Sequence, residues 1–189
     1  MLGGDAGDAA QALVLLERIP VEAERPLGFD REDWPHWLDT DRDCQDARQE
    51  VLAAESEVPV RWDTQRCDVV SGLWRDAYTG QTVRDPRALD VDHMVPLAEA
   101  FRSGGRDWDM ERRAAYANDL QDGRTLIAVS ASANRSKGDQ GPEDWLPPEV
   151  SYRCRYVADW VAVKVRWSLS MDERERVTVG NILRACAQD

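Results

Sequence analysis

The sequence predicts a mixed α+β fold in which helices dominate, organised as one domain over residues 1–189. Three observations predict it. A chain of 189 residues with 42% apolar side chains can build one core and is short for two independent ones. Two short apolar segments, Leu89–Val95 and Leu126–Ser130, are bounded by turn residues and read as strands. Two longer segments, Tyr152–Trp167 and Asp172–Ala187, place apolar residues at helical spacing.

Taken in order, Ala9–Ile19 is amphipathic and is predicted to be a helix that ends before Pro20. Val21–Asp43 is polar, contains Pro26 and Pro35, and is expected to wrap the surface. Asp43–Glu55 reads as a helix, and Cys67–Val83 as a hairpin turning at Tyr78-Thr79-Gly80. Leu89–Val95 switches from strand to turn at Pro96. Leu97–Phe101 and Met110–Ala117 read as short helices around the break at Ser103-Gly104-Gly105. After the strand Leu126–Ser130, a helix is expected over Ser132–Lys137. Pro147-Pro148 then separates it from the two long C-terminal helices, the last with Val177, Ile182 and Leu183 inward. No run of 18 uncharged apolar residues exists, so no membrane-spanning helix is expected.

The net charge of −12 is unevenly placed: residues 1–60 hold 15 acids and 5 bases, whereas residues 101–140 hold 6 and 7. Polyanions repel an acidic protein, so nonspecific nucleic-acid binding is disfavoured and any such binding falls to the near-neutral middle. On this reading Arg31 and Arg42, inside the acidic third, make no phosphate contact. The string Asp30–Asp43 superficially resembles a calcium loop but lacks the glycine and the terminal glutamate spacing. Only Lys137 and Lys164 are lysines, against 22 arginines.

Cys44, Cys67, Cys154 and Cys186 are widely spaced and even in number, which suits two disulfides in an oxidising compartment rather than a zinc or redox motif. Of three possible pairings, Cys44–Cys67 and Cys154–Cys186 join neighbouring segments and are preferred; four free thiols in a cytosolic protein is the alternative. The first residues carry Asp5 and Asp8 where a signal peptide needs positive charge. Either the protein is cytoplasmic or a leader has been removed; the cysteines favour the second, hence a secreted or cell-surface location.

Two strings carry chemistry. Asp90–Ala100 (DVDHMVPLAEA) sets Asp92 directly before His93 at a strand end. Adjacent strand residues face opposite sides, so both reach one site only if the strand ends or bends there, as Pro96 permits. The other histidine, His36, lies in the acidic region and reads as a solvated surface residue. Ser132–Asp139 (SANRSKGD) puts Asn134 and Lys137 three apart on one helix face. An amide oxygen with a carboxylate makes a hard-oxygen site suited to Mg²⁺, and Lys137 could meet a phosphate. Read singly, each string also has a plain structural explanation: a packed histidine, a helix-capping Asn134, a solvated Lys137.

In this order the two strings resemble the HNH nucleases of the ββα-metal class, and more closely the bacterial HNH family related to the C-terminal domain of restriction enzymes that attack modified cytosine. Asp92–Leu97, Gly104–Trp108, Ala117-Asn118-Asp119, Asn134–Asp139 and Trp145–Pro148 match that family's pattern, and WRDAYTGQTV (Trp74–Val83) and Tyr152–Lys164 its flanks, so the resemblance covers about residues 10–188. It implies a ββα-metal core at about 88–140 with flanking helices in 8–56 and 149–188. It further implies a metal-dependent DNA endonuclease of weak sequence preference, with His93 as general base and Asp92 and Asn134 holding Mg²⁺ or Mn²⁺. Lys137, Arg135 and Arg124 become phosphate contacts, Asp90 a residue that orients a ligand, and Arg112 and Arg113 further cations on a helix face read as solvated. The implied substrate is double-stranded DNA, with RNA as a variant. One position departs: Thr125 stands where the family has the middle Asn that orients the histidine. An inactive DNA- or metal-binding module of the same fold is therefore the competing reading, and a disulfide-stapled structural protein a third.

Overall fold

The computed structural model describes residues 4–188; the remaining residues of the 1–189 span, Met1–Gly3 and Asp189, lie outside the described residues. Seven α-helices and six short strands are present among the described residues: α1 (Gly4–Leu16), α2 (Ala47–Glu55), β1 (Arg61–Trp62), β2 (Val69–Ser71), β3 (Trp74–Arg75), β4 (Thr82–Val83), β5 (Leu89–His93), α3 (Leu97–Arg102), α4 (Met110–Ala117), β6 (Leu126–Ser130), α5 (Ala131–Lys137), α6 (Arg153–Trp167) and α7 (Glu173–Cys186). The mixed α+β class is as the sequence predicts. The strands form three separate antiparallel pairs, β1–β2, β3–β4 and β5–β6.

The expected single hairpin over Cys67–Val83 is two pairings. β2 returns to β1, and β3 pairs with β4 across the loop holding Tyr78-Thr79-Gly80. The turn at Tyr78-Thr79-Gly80 is where the sequence places it; the pairing of β2 with β1 is not foreseen, because strands of two or three residues offer no alternation to read. In the loop, Gly80 has φ +70, and buried Asp76 accepts the Tyr78 N–H at 3.0 Å.

Helix starts follow their side-chain caps: Asp46, Asp109 and Asp172 accept from backbone N–H groups of the first turns of α2, α4 and α7. Gly138, at φ +57, ends α5. Helix α6 is buried along most of its length, from Tyr156 to Lys164, because α1 and α7 pack against it. In α7, Leu183 is buried as expected, but Val177 is exposed and Val179 takes the inward place. Inside this layer Lys164 Nζ donates to Glu99 Oε1 and Glu175 Oε2, each at 2.7 Å, and to Ser170 O at 2.9 Å.

A second, smaller core fills the space between α2 and the β5–β6 pair, with Leu52, Val69, Trp74, Leu89, Val91, Leu126 and Ala128. Glu55 at the end of α2 accepts the Ala128 N–H at 2.8 Å, tying the helix to β6. Cys44 is bridged to Cys67 and Cys154 to Cys186, the pairing that joins neighbouring segments. No described helix is long and apolar enough to cross a membrane.

Candidate active site

β5 and β6 pair in register from Leu89↔Ser130 to His93↔Leu126, and α5 follows β6 directly. Alternation along β5 sends Asp90 and Asp92 to one face and Val91 and His93 to the other. The face of α5 that carries Asn134 and Lys137, three residues apart, meets the aspartate face in two cross-links. Asn134 Nδ2 donates to Asp90 Oδ2 at 3.1 Å, and Lys137 Nζ to Asp92 Oδ2 at 2.5 Å.

Lys137 is fully buried and also donates to the carbonyls of His93 (2.9 Å) and Met94 (3.0 Å). The expected phosphate contact is thus corrected: its three donors are spent inside the protein, on the end of β5. Tyr78 adds a further hydrogen bond, its hydroxyl donating to the same Asp92 Oδ2 at 2.6 Å. Burial pushes the Asp92 carboxyl up and the Lys137 ammonium down from their usual ranges, and each charge opposes the other's shift.

His93 leaves the strand on the opposite side. Its Nε2 lies 2.9 Å from the carbonyl of Ala117 at the end of α4, so Nε2 carries the proton and Nδ1 the lone pair. The ring is flanked by Trp37 (centroids 5.6 Å apart, planes at 30°) and Tyr116 (6.1 Å, 21°). Burial, with Arg31, His36 and Lys137 nearby, pushes its pKa down to about 3, so the imidazole is neutral. Among the described residues, no hydrogen bond joins it to Thr125. The Thr125 hydroxyl donates to Asp119 Oδ2 at 3.0 Å, and its carbonyl accepts the Met94 N–H at 2.9 Å, extending the β5–β6 pairing by one bond. Orientation of the histidine falls instead to a backbone carbonyl.

Asp92, His93, Asn134 and Arg135 line one cleft of about 440 Å³ that opens beside Pro96 and Leu97, where β5 ends. Phe29 and Arg31 complete its wall from the segment before α2. Arg31, expected to make no phosphate contact, thus lines the cleft, whereas Arg124, an expected phosphate contact, is not among its lining residues. Arg124 is paired with Asp122 at 2.6 Å and lines a separate depression with Arg155 and Asp159. Arg112 and Arg113 lie against Trp108 and Trp34. His36 is half-buried rather than solvated, with Nδ1 2.7 Å from Trp34 O.

The carboxylates of Asp39, Asp41 and Asp43 also approach one another at the surface, where backbone N–H groups of Arg42, Cys44 and Gln45 occupy Asp39 and Asp43. Sequence reasoning misses Tyr78, Ala117, Trp37 and Arg31 as site neighbours. A main-chain carbonyl leaves no side-chain signature, and the other three reach the site through long-range folding.

The donor set suits a hard divalent ion. With Asp92 Oδ2 taken, Oδ1 is left for a ligand, and with Asn134 Nδ2 donating to Asp90, the amide oxygen is left likewise. The two disulfides fit an extracellular protein.

The chain is 37% identical over 179 residues to a protein of Arthroderma benhamiae named "Uncharacterized secreted protein", covering 94% of this chain and 86% of that one. No solved structure matches it. A family model, GmrSD restriction endonucleases, C-terminal domain, matches residues 46–178, from the start of α2 into α7 and across all the strands. The chain therefore belongs to the family of the C-terminal domain of GmrSD restriction endonucleases, which makes it a restriction-endonuclease-like, nuclease-related protein.

Proposed function

We propose that the protein is a secreted, metal-dependent endonuclease in which β5, β6 and α5 form a ββα-metal (HNH) unit that hydrolyses double-stranded DNA. The observation that carries this reading is His93, held by Ala117 O through Nε2 with Nδ1 left over, in the same cleft as Asp92, Asn134 and Arg135. Nδ1 accepts the proton of a water whose oxygen attacks phosphorus; the P–O3′ bond breaks with its electron pair going to O3′, which takes a proton from solvent, leaving a 5′-phosphate and a 3′-hydroxyl. A neutral imidazole is in the form a base requires, and Trp37 and Tyr116 hold its plane. Lys137 and Tyr78 fix the Asp92 carboxylate, and Asp90 fixes the Asn134 amide. Asp92 and Asn134 would hold Mg²⁺ or Mn²⁺, which when bound supplies charge stabilisation at the phosphate. Arg135, exposed on α5, contacts a phosphate. The disulfides and the secreted name of the Arthroderma benhamiae relative support export.

The test is plasmid cleavage with Mg²⁺ or Mn²⁺, with and without EDTA. Cleavage that EDTA abolishes is expected, and His93→Ala should slow it by about 10²–10⁴-fold, the usual loss of a general base. Equal cleavage by wild type and His93→Ala sinks the assignment. Metal-insensitive DNA binding without cleavage would favour an inactive module.

A further inference from the structure

We propose that the segment from Phe29 to Cys44, which lies before the part of the chain matched by the family model, is a substrate-binding strap whose Arg31 holds the DNA backbone in the cleft of His93. This deepens the nuclease reading and rests on it. Arg31 is exposed, lines the cleft, and has no carboxylate within ion-pair distance among the described residues. Of its acidic neighbours, Asp30 Oδ1 accepts the Glu32 N–H at 3.0 Å, Asp33 faces Arg113 at 3.5 Å, and the exposed Glu32 carboxylate makes no ion pair with Arg31. The guanidinium instead approaches His36 Nε2 at 3.5 Å, a side chain that carries no negative charge, while His36 Nδ1 lies 2.7 Å from Trp34 O. An uncompensated cation is thereby presented to a cleft whose other free cation, Arg135, comes from α5. Two guanidiniums from separate elements suit one phosphodiester strand crossing the base.

The strap is built into the fold and does not merely lie over it. Trp34 is fully buried, edge-on to Tyr116 (5.9 Å between centroids) and beside Trp108 (5.8 Å). A Cβ on Gly105 would come within 2.9 Å of the Trp34 ring, so glycine there makes the seat. Asn118 clasps the next turn, its Nδ2 donating to Pro35 O and its Oδ1 accepting the Leu38 N–H, both at 2.8 Å. The Cys44–Cys67 disulfide closes the far end. These anchors place Trp37 over the His93 ring and Arg31 at the cleft mouth. The adjacent Ala117 and Asn118 therefore act together: one orients the base, the other the strap.

The test is binding of a short fluorescent DNA duplex in EDTA, where no cleavage occurs, at several salt concentrations. Arg31→Ala should weaken binding about tenfold and make the log–log salt slope shallower by about 0.9, the signature of one lost phosphate contact. Arg31→Lys should recover most of the affinity. Arg42→Ala, in the same acidic region but outside the cleft, should change neither. Wild-type affinity and slope in Arg31→Ala, or no binding by the wild type, overturns the proposal. The two readings fail separately. A protein that never cuts, yet loses binding in Arg31→Ala, keeps the strap and loses the nuclease; one that cuts and binds equally well without Arg31 does the reverse.

Discussion

Lys137 has three donors and three acceptors around it, one carboxylate oxygen and two carbonyls, with no exposed surface. Removing the ammonium leaves Asp92 as a buried, uncompensated charge and two carbonyls unpaired. Losses of this kind cost about 3–5 kcal/mol. Lys137→Met is therefore expected to lower the urea midpoint strongly, whereas Tyr78→Phe, which deletes one hydrogen bond to a charged group, should cost about 1.5–3 kcal/mol. A change within about 0.5 kcal/mol for Lys137→Met would show that the lysine does not sit where the structure puts it. The spacing of Asn134 and Lys137 was readable as one helix face, and that face does meet β5. What spacing could not reveal is depth. A lysine on a polar-looking string reads as solvated, and only the position of α5 against the strand end shows that it points inward. Asp92, His93 and Asn134 could be singled out because adjacent chemistry-bearing residues stand out in sequence; Arg31 and Trp37 could not, because their proximity to His93 is created by the seat of Trp34.

At the scale of elements, α2 and β6 are held together by apolar packing and by one carboxylate. Burial pushes the Glu55 pKa up to about 7, while the hydrogen bond from Ala128 opposes the shift. Its folded pKa exceeds the ordinary value of 4.5, so the folded state binds the proton more tightly. The resulting stability is fully present below pH 4.5 and is lost as pH rises through about 7. Glu55→Gln keeps an oxygen for the Ala128 N–H and removes the titration. The variant should match wild type near the lower limit and be more stable at pH 8 by about 1–2 kcal/mol, a figure discounted for partial exposure. Thermal melts at both pH values check it; parallel pH dependence in the two proteins would exclude Glu55 as the source. The long elements were legible because their patterns persist: β6 lies at Leu126–Ser130 as predicted, and α6 begins one residue later than the pattern suggests. Of the four strands of two or three residues, the β3–β4 turn was legible from Tyr78-Thr79-Gly80, whereas the pairing of β1 with β2 was not.

At the scale of the whole molecule, charge and covalent structure are segregated. The first 60 residues carry most of the net −12, yet they furnish one cation to the cleft, so an acidic region and a cation lining the cleft coexist a few residues apart. One disulfide ties that region to the loop between β1 and β2, and the other ties the start of α6 to the end of α7.

The burial of both lysines gives the folded protein an unusual reactivity. Lys137 and Lys164 are each fully enclosed, so its surface offers no lysine amine to an acylating reagent. Labelling must wait for opening, which confers protection of roughly 10³–10⁶-fold for a domain of ordinary stability. Mass spectrometry after treatment with an amine-reactive ester should find both lysines unmodified in the native protein and modified in concentrated urea with reductant. The two residues report on different places, one beneath the cleft and one among α3, α6 and α7. Equal labelling rates would mean that the molecule opens as a unit. Faster labelling of Lys137 would mean that α5 lifts from β5 by itself, and the proposed active site would then be the first part of the protein to come undone.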